Sequence, residues 1–111
     1  MKGSFKFTKG ERIALPQDFR QVMKSGRRLA SKNFVFFFLE NKNKFHRLGV
    51  VVKKEVGPAT LRNRMKRYLR EFFRLHKHQI KGSMDIIILV KKGNPPDRYE
   101  ETEKELMRVF I

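Results

Sequence analysis

The chain has 111 residues, 27 of them Lys or Arg against 11 Asp or Glu, which gives a net charge of +16 at pH 7 and a pI near 10.7. Its 40% hydrophobic content supports one modest core, which excludes a disordered polybasic tail and predicts a single domain over residues 1–111. The absence of cysteine excludes disulfide frameworks and thiolate zinc sites, and the charge points to nucleic acid or an anionic membrane surface.

Residues 1–15 mix Lys2, Lys6, Lys9 and Arg12 with Phe5, Phe7 and Ile13 without a clear period. They read either as an extended basic arm, anchored by its phenylalanines, or as a loose terminus. The opening MKGSFKFTKGER lacks the apolar segment of a secretory signal, and no apolar run approaches the ~20 residues of a membrane span. A cytoplasmic protein with no membrane role is the expectation. Pro16 suits the first turn of a helix, and Phe19, Val22 and Met23 follow at helical spacing, so residues 17–25 are predicted as a short helix capped by Gly26. On pattern alone Phe19 reads as core.

Residues 33–40, NFVFFFLE, form a strand apolar on both faces, Phe34, Phe36 and Phe38 on one and Val35, Phe37 and Leu39 on the other. Such a strand is covered on both sides or shows aromatics for stacking. After polar turn residues 41–44, FHRLGVVVKKEV at 45–56 is a second strand run, and the two are predicted to pair as an antiparallel hairpin. Part of that run is left open to a further strand. Gly49 marks a bulge or a close backbone approach, and Lys53 and Lys54 sit on opposite faces near the strand end.

Gly57 and Pro58 break the strand and launch ATLRNRMKRYLREFFRLHKHQI, residues 59–80, with Thr60 as a candidate cap. At roughly 100° per residue this segment sorts cleanly. Leu61, Met65, Tyr68, Leu69, Phe72 and Leu75 share one face, while Asn63, Lys66, Arg67, Arg70, Arg74 and Lys77 share the other. Arg62 and Arg64 lie on the borders, and Phe73 falls between the faces. Its one acid is Glu71. A solvated surface helix mixes charge signs so that acids pair with bases. This face repels itself, which points to an external polyanion. Residues 84–90, MDIIILV, then read as a buried strand, residues 91–98 as a loop, and residues 99–111 as an amphipathic helix with acids suited to its N-terminus.

The predicted class is α+β: one two-layer sandwich of about four mainly antiparallel strands with helices, in the order α-β-β-(β)-α-β-α. By the usual rule its strand–helix–strand crossover is right-handed. Catalytic groupings are not visible. His46, His76 and His78 have no partnered nucleophile, His76 and His78 face different ways on a helix, and the acids are scattered. The residues describe a binder.

Here the sequence carries a resemblance. RLGVVVKKEVGPATLRNRMKRYLREFFR, residues 47–74, resembles the signature of the bacterial ribonuclease P protein subunit family: a strand ending in basic residues, a glycine, and a helix opening Arg62-Asn63-Arg64, then Lys66-Arg67 and Arg70-Glu71. Residues 15–26, 33–39 and 85–92 resemble the family's first helix, aromatic first strand and later strand. The resemblance implies an α+β sandwich with a left-handed crossover, against the default. It implies the small subunit of a ribonucleoprotein endonuclease, a hydrolase whose RNA carries the active site, uses Mg²⁺, and removes the 5′ leader of precursor tRNA. The partners it implies are the catalytic RNA and precursor tRNA, with no obligate protein partner and no catalytic residue on the protein.

Residue by residue, Arg62, Asn63, Arg64, Lys66, Arg67 and Arg70 match the RNA-contacting motif, and Arg74 on the same face is taken with them. For the cleft that takes the single-stranded leader, the matches are Phe19, Phe37, Lys53 and Lys54. Met23 and Glu55 depart from the pattern, where an aromatic and a base are usual. The competing readings are a ribosomal or other RNA-binding protein, which leaves Arg62-Asn63-Arg64 after Lys53-Lys54 without a reason, and a self-contained nuclease, which needs a carboxylate cluster for metal. A DNA-binding role lacks a clear helix-turn-helix. A membrane-surface role would spend an apolar helix face that the fold needs.

Overall fold

The computed structural model describes residues 6–111, so Lys2 and Phe5 of the arm lie outside the described residues. Its helices are α1 (Pro16–Ser25), α2 (Ala59–His76) and α3 (Tyr99–Phe110), and its strands β1 (Arg27–Ala30), β2 (Phe34–Glu40), β3 (Arg47–Val51) and β4 (Met84–Val90). The sheet runs β1-β2-β4-β3, antiparallel at β1/β2 and β2/β4 and parallel at β3/β4. This is the expected α+β class.

Strand alternation divides the core in two. Phe34 and Phe36 of β2 and Ile86 and Ile88 of β4 turn to the side of α2 and α3, where they meet Met65, Leu69, Phe72 and Leu106. The Phe110 ring stands edge-on to Phe36 and to Phe38, at 5.5 Å in each case. The other sheet face presents Phe37, Leu39 and Ile87 to Phe19 and Val22 of α1. Helices therefore cover both faces of the sheet, which answers why β2 and β4 are apolar on both sides.

Several expectations are corrected. The run at residues 33–40 does not pair with the run at residues 45–56, because β4 lies between them. Ile86, Ile87 and Ile88 are each at most 2% exposed. A strand apolar on both faces gains most in the middle of a sheet, and that gain outweighs sequence adjacency. The hairpin is instead β1/β2, closed where the Ser31 N–H donates to Phe34 O at 2.9 Å. The second run is strand only to Val51, and Lys54–Val56 is a 3₁₀ turn, so Lys53 and Lys54 lie beyond the strand rather than alternating along it. At the start of α2 Thr60 is not the cap; Pro58 occupies that position, and its carbonyl accepts from the Arg62 N–H at 3.0 Å. The helix ends at His76 and tightens into a 3₁₀ turn over Lys77–Gln79.

The arm is docked. Thr8 and Glu11 form a capping box around the 3₁₀ turn Lys9–Glu11, and Arg12 bridges in parallel to Leu48. The Ile13 N–H donates to Leu48 O at 3.0 Å. This covers the outer edge of β3, whose unpaired backbone groups would otherwise recruit another strand.

Candidate nucleic-acid interface

The long helix presents the predicted face. Met65, Leu69, Phe72 and Phe73 are buried, while Asn63, Arg67 and Arg70 are exposed and Lys66 is half-buried. Phe73, which the simple stripe did not place, belongs to the core, with the Phe7 ring edge-on to it at 5.4 Å. Asn63, Lys66, Arg67, Arg70, Glu71 and Arg74 line one concave surface together with Phe7 and Arg12 of the arm. Lys66, Arg67 and Arg70 make no ion pair among the described residues. Burial first, and then the charge of Arg12, hold the Arg70 guanidinium below its ordinary pKa. The surface is a trough of positive charge held open against its own repulsion.

The remaining motif cations are already engaged. Arg62 Nε donates to Gly57 O at 3.0 Å and so ties the helix start to the preceding turn. Arg64 reaches Asp97 at 3.0 Å, with its Nε buried and without a hydrogen-bond partner. Arg74 grips Glu71 through two bonds, at 3.0 and 2.7 Å, and those bonds hold the Glu71 carboxyl below the usual carboxylate range. Lys77, expected on the wet face, is a correction: it is 6% exposed and its Nζ meets Glu11 Oε2 at 2.5 Å. The α-helix ends at His76, Lys77 opens the 3₁₀ turn, and the docked arm closes over it.

On the other sheet face, Phe19 and Phe37 come together in the apolar cluster of Ile13, Val22 and Ile87, both half-buried, with Val51 beside them. Met23 on the same helix is 40% exposed. Lys53 and Lys54 are exposed just past the end of β3. One residue that sequence reasoning missed fixes this wall. Arg47 donates to Asp85 through Nε at 2.8 Å and Nη2 at 2.6 Å, and its Nη1 lies 3.5 Å from Asp18 of α1. It thereby ties α1 to the sheet one residue before Phe19. Burial pushes the Asp85 carboxyl up, but hydrogen bonds from Arg47 and Asn41 and the Arg47 charge outweigh it and leave the group below its usual range. The only signal was an arginine two residues before Gly49 in an otherwise apolar run.

A mixed sheet covered by helices on both faces, with its longest helix turning unneutralised guanidiniums outward, defines a small polyanion-binding module. Comparison with known proteins carries the assignment further. The ribonuclease P family model matches residues 7–111. The chain is 41% identical over 98 residues to the ribonuclease P protein component of Syntrophus aciditrophicus, which spans 88% of this chain and 82% of that one. It is 42% identical over 86 residues to that of Thermotoga maritima, covering 78% and 74%. Among solved structures, the Staphylococcus aureus RNase P protein superposes with a TM-score of 0.83 at 34% identity, covering 91% of this chain and 93% of that one. The Thermotoga maritima protein superposes at 0.81, also at 34% identity, covering 90% and 94%. The chain belongs to the ribonuclease P protein family, the protein components of the ribonucleoprotein that cleaves tRNA precursors.

Proposed function

We propose that the basic face of α2 binds the catalytic RNA subunit and that the aromatic wall between α1 and the sheet takes the 5′ leader of precursor tRNA. The observation that carries this is the separation of the two surfaces. Arg67 and Arg70 stand on the outer face of α2, whereas Phe19 and Phe37 lie on the opposite side of the sheet. One small domain then reaches two strands of RNA at once. Guanidinium forks suit phosphates, and half-buried phenylalanines beside exposed Lys53 and Lys54 suit an unpaired base and its phosphate. This reading leaves Mg²⁺ with the RNA; among the described residues no group of three or more His, Asp or Glu could hold a metal ion.

The test separates the surfaces. Arg67→Ala with Arg70→Ala weakens assembly with the catalytic RNA whatever the substrate. Phe37→Ala, in a variant that melts cooperatively, leaves assembly intact, weakens holoenzyme binding of precursor tRNA carrying a leader of several nucleotides, and spares mature tRNA. Base–aromatic stacking sets the expected loss at about 1–3 kcal/mol. Equal losses for precursor and mature tRNA would remove the leader from this wall.

A further inference from the structure

We propose that Arg12 is part of the catalytic-RNA interface, and that the buried Glu11–Lys77 ion pair positions it opposite Arg70 so that the two guanidiniums take one phosphodiester between them. This rests on the reading that the basic face of α2 meets the catalytic RNA.

The geometry begins with a buried charge. Lys77 is 6% exposed and Glu11 9%. Two ions out of water are stable only with close contact and their remaining hydrogen-bonding capacity filled. Both conditions hold. Lys77 Nζ donates to Glu11 Oε2 at 2.5 Å and also to Lys6 O. Glu11 Oε1 accepts from the Thr8 N–H at 2.8 Å and from Thr8 Oγ1 at 2.9 Å. The turn Lys9–Glu11 is therefore fixed to the end of α2 by a directional network, where an apolar contact would leave it free to rotate.

Arg12 follows directly. Its backbone is held by the bridge to Leu48, and its guanidinium lies over the Phe7 ring, 4.7 Å from the centroid. The edge of Phe7 packs on Phe73 of α2. The arm thus delivers a cation to the rim of the trough lined by Asn63, Lys66, Arg67 and Arg70. Arg12 and Arg70 are both exposed, and neither has an acid partner among the described residues. Burial first, and then the charge of Arg12, hold the Arg70 guanidinium below its ordinary pKa. Arg12 and Arg70 line the same trough, and its acid, Glu71, is taken up by Arg74. One anionic oxygen pair that accepts from both guanidiniums relieves them, and arginine forks match a phosphodiester in this way.

The test measures affinity for the purified catalytic RNA across a salt series. Arg12→Ala removes an exposed side chain, and it is expected to weaken binding about tenfold and to lower the magnitude of the salt slope by about 1. Glu11→Gln is the decisive variant. It removes a negative charge, so charge counting alone predicts tighter binding, whereas positioning predicts severalfold weaker binding. In an Arg12→Ala background it should cost nothing further. Where Glu11→Gln is unfolded at the assay temperature, Glu11→Asp, which keeps the charge and shortens the reach, takes its place: charge counting then predicts unchanged binding, which would overturn the positioning role, and positioning predicts weaker binding. Arg67→Ala is the control. If Arg67→Ala weakens binding and Arg12→Ala changes neither affinity nor slope, the proposal is overturned and the α2 reading stands. If both are silent, the α2 reading itself has failed. Tighter binding by Glu11→Gln, or equal weakening in both backgrounds, overturns the positioning role.

Discussion

The Phe19 ring lies over Gly49: a methyl group placed on Gly49 would sit 2.8 Å from both Cε1 and Cζ of that ring. Only a residue without a side chain lets α1 settle this low on the sheet. Gly49→Ala is therefore expected to push Phe19 outward, costing ~1–3 kcal/mol as other overpacked cores do. Chemical denaturation checks the stability. Binding of leader-bearing precursor tRNA checks the function, because a displaced Phe19 opens the wall it shares with Phe37. Catalytic-RNA affinity should hold, since α2 is on the other side of the sheet.

Gly49 also shows how far the sequence could be read. A glycine inside a β-branched run needs a reason, and close approach was one of the two open to it. The apolar and basic faces of α2 were likewise legible, because a helix of 18 residues repeats its pattern often enough to be unambiguous. β1 was not legible. Its four residues, RRLA, are all exposed, so no alternation marks them as strand. Strand order failed for a different reason. The isoleucines of β4 announce a central strand, but which strands flank it depends on which faces the helices cover, a long-range fact absent from any local window. Lys77 was misplaced because a helical wheel knows nothing of an arm arriving from 66 residues away in sequence.

Glu105 anchors the β1–β2 turn to α3. Its carboxylate is 8% exposed and accepts from Ser31 Oγ, from the Asn33 N–H at 2.7 Å and from Asn33 Nδ2 at 2.7 Å. Glu105→Ala strands those donors. Hydrogen bonds to charged groups contribute ~1.5–3 kcal/mol and do not add in full, so a loss of ~2–4 kcal/mol is expected. Glu105→Gln, which keeps one acceptor oxygen, should lose less. Below the melting transition both variants should bind the catalytic RNA normally, since this corner lies away from the trough.

The Arg47–Asp85 pair sets a pH dependence. The folded Asp85 carboxyl titrates below its ordinary value of 3.8, so at low pH the unfolded chain binds the proton first. The pair's contribution is present above that ordinary value and is lost as pH falls through the lower, folded one. Glu11 and Glu71 are shifted in the same direction and add to the same acid limb. Asp85→Asn should cost ~2–3 kcal/mol at neutral pH, less than the ~3–5 kcal/mol of a fully buried pair, because Arg47 keeps Asp18 as a partner. The variant's stability should also fall less steeply from about pH 4 downward than the parent's. Urea midpoints across that range measure both effects, and parallel curves for the two proteins would show that Asp85 is not a source of the acid limb.

Salt dependence distinguishes cations that are ready for phosphate from those already engaged. Each phosphate neutralised by a base releases counterions, with a slope of log affinity against log salt of about −0.7 to −0.9 per contact. Lys66, Arg67 and Arg70 carry no acid partner among the described residues, and Arg12 joins them at the rim. Arg64 and Arg74 are held by Asp97 and Glu71. An arginine that must share its charge with a carboxylate contributes less net charge to the RNA and releases fewer ions. For roughly four to six contacts the slope for the catalytic RNA should lie at about −3 to −5. Arg67→Gln should reduce its magnitude by about 1, while Arg74→Gln, which leaves Glu71 uncompensated beside the trough, should weaken affinity with a smaller change in slope. Filter-binding titrations over a salt series read both quantities. A slope near zero would remove the electrostatic account of this helix, and equal slope changes for Arg67→Gln and Arg74→Gln would show that the Glu71 pair opens completely when RNA binds.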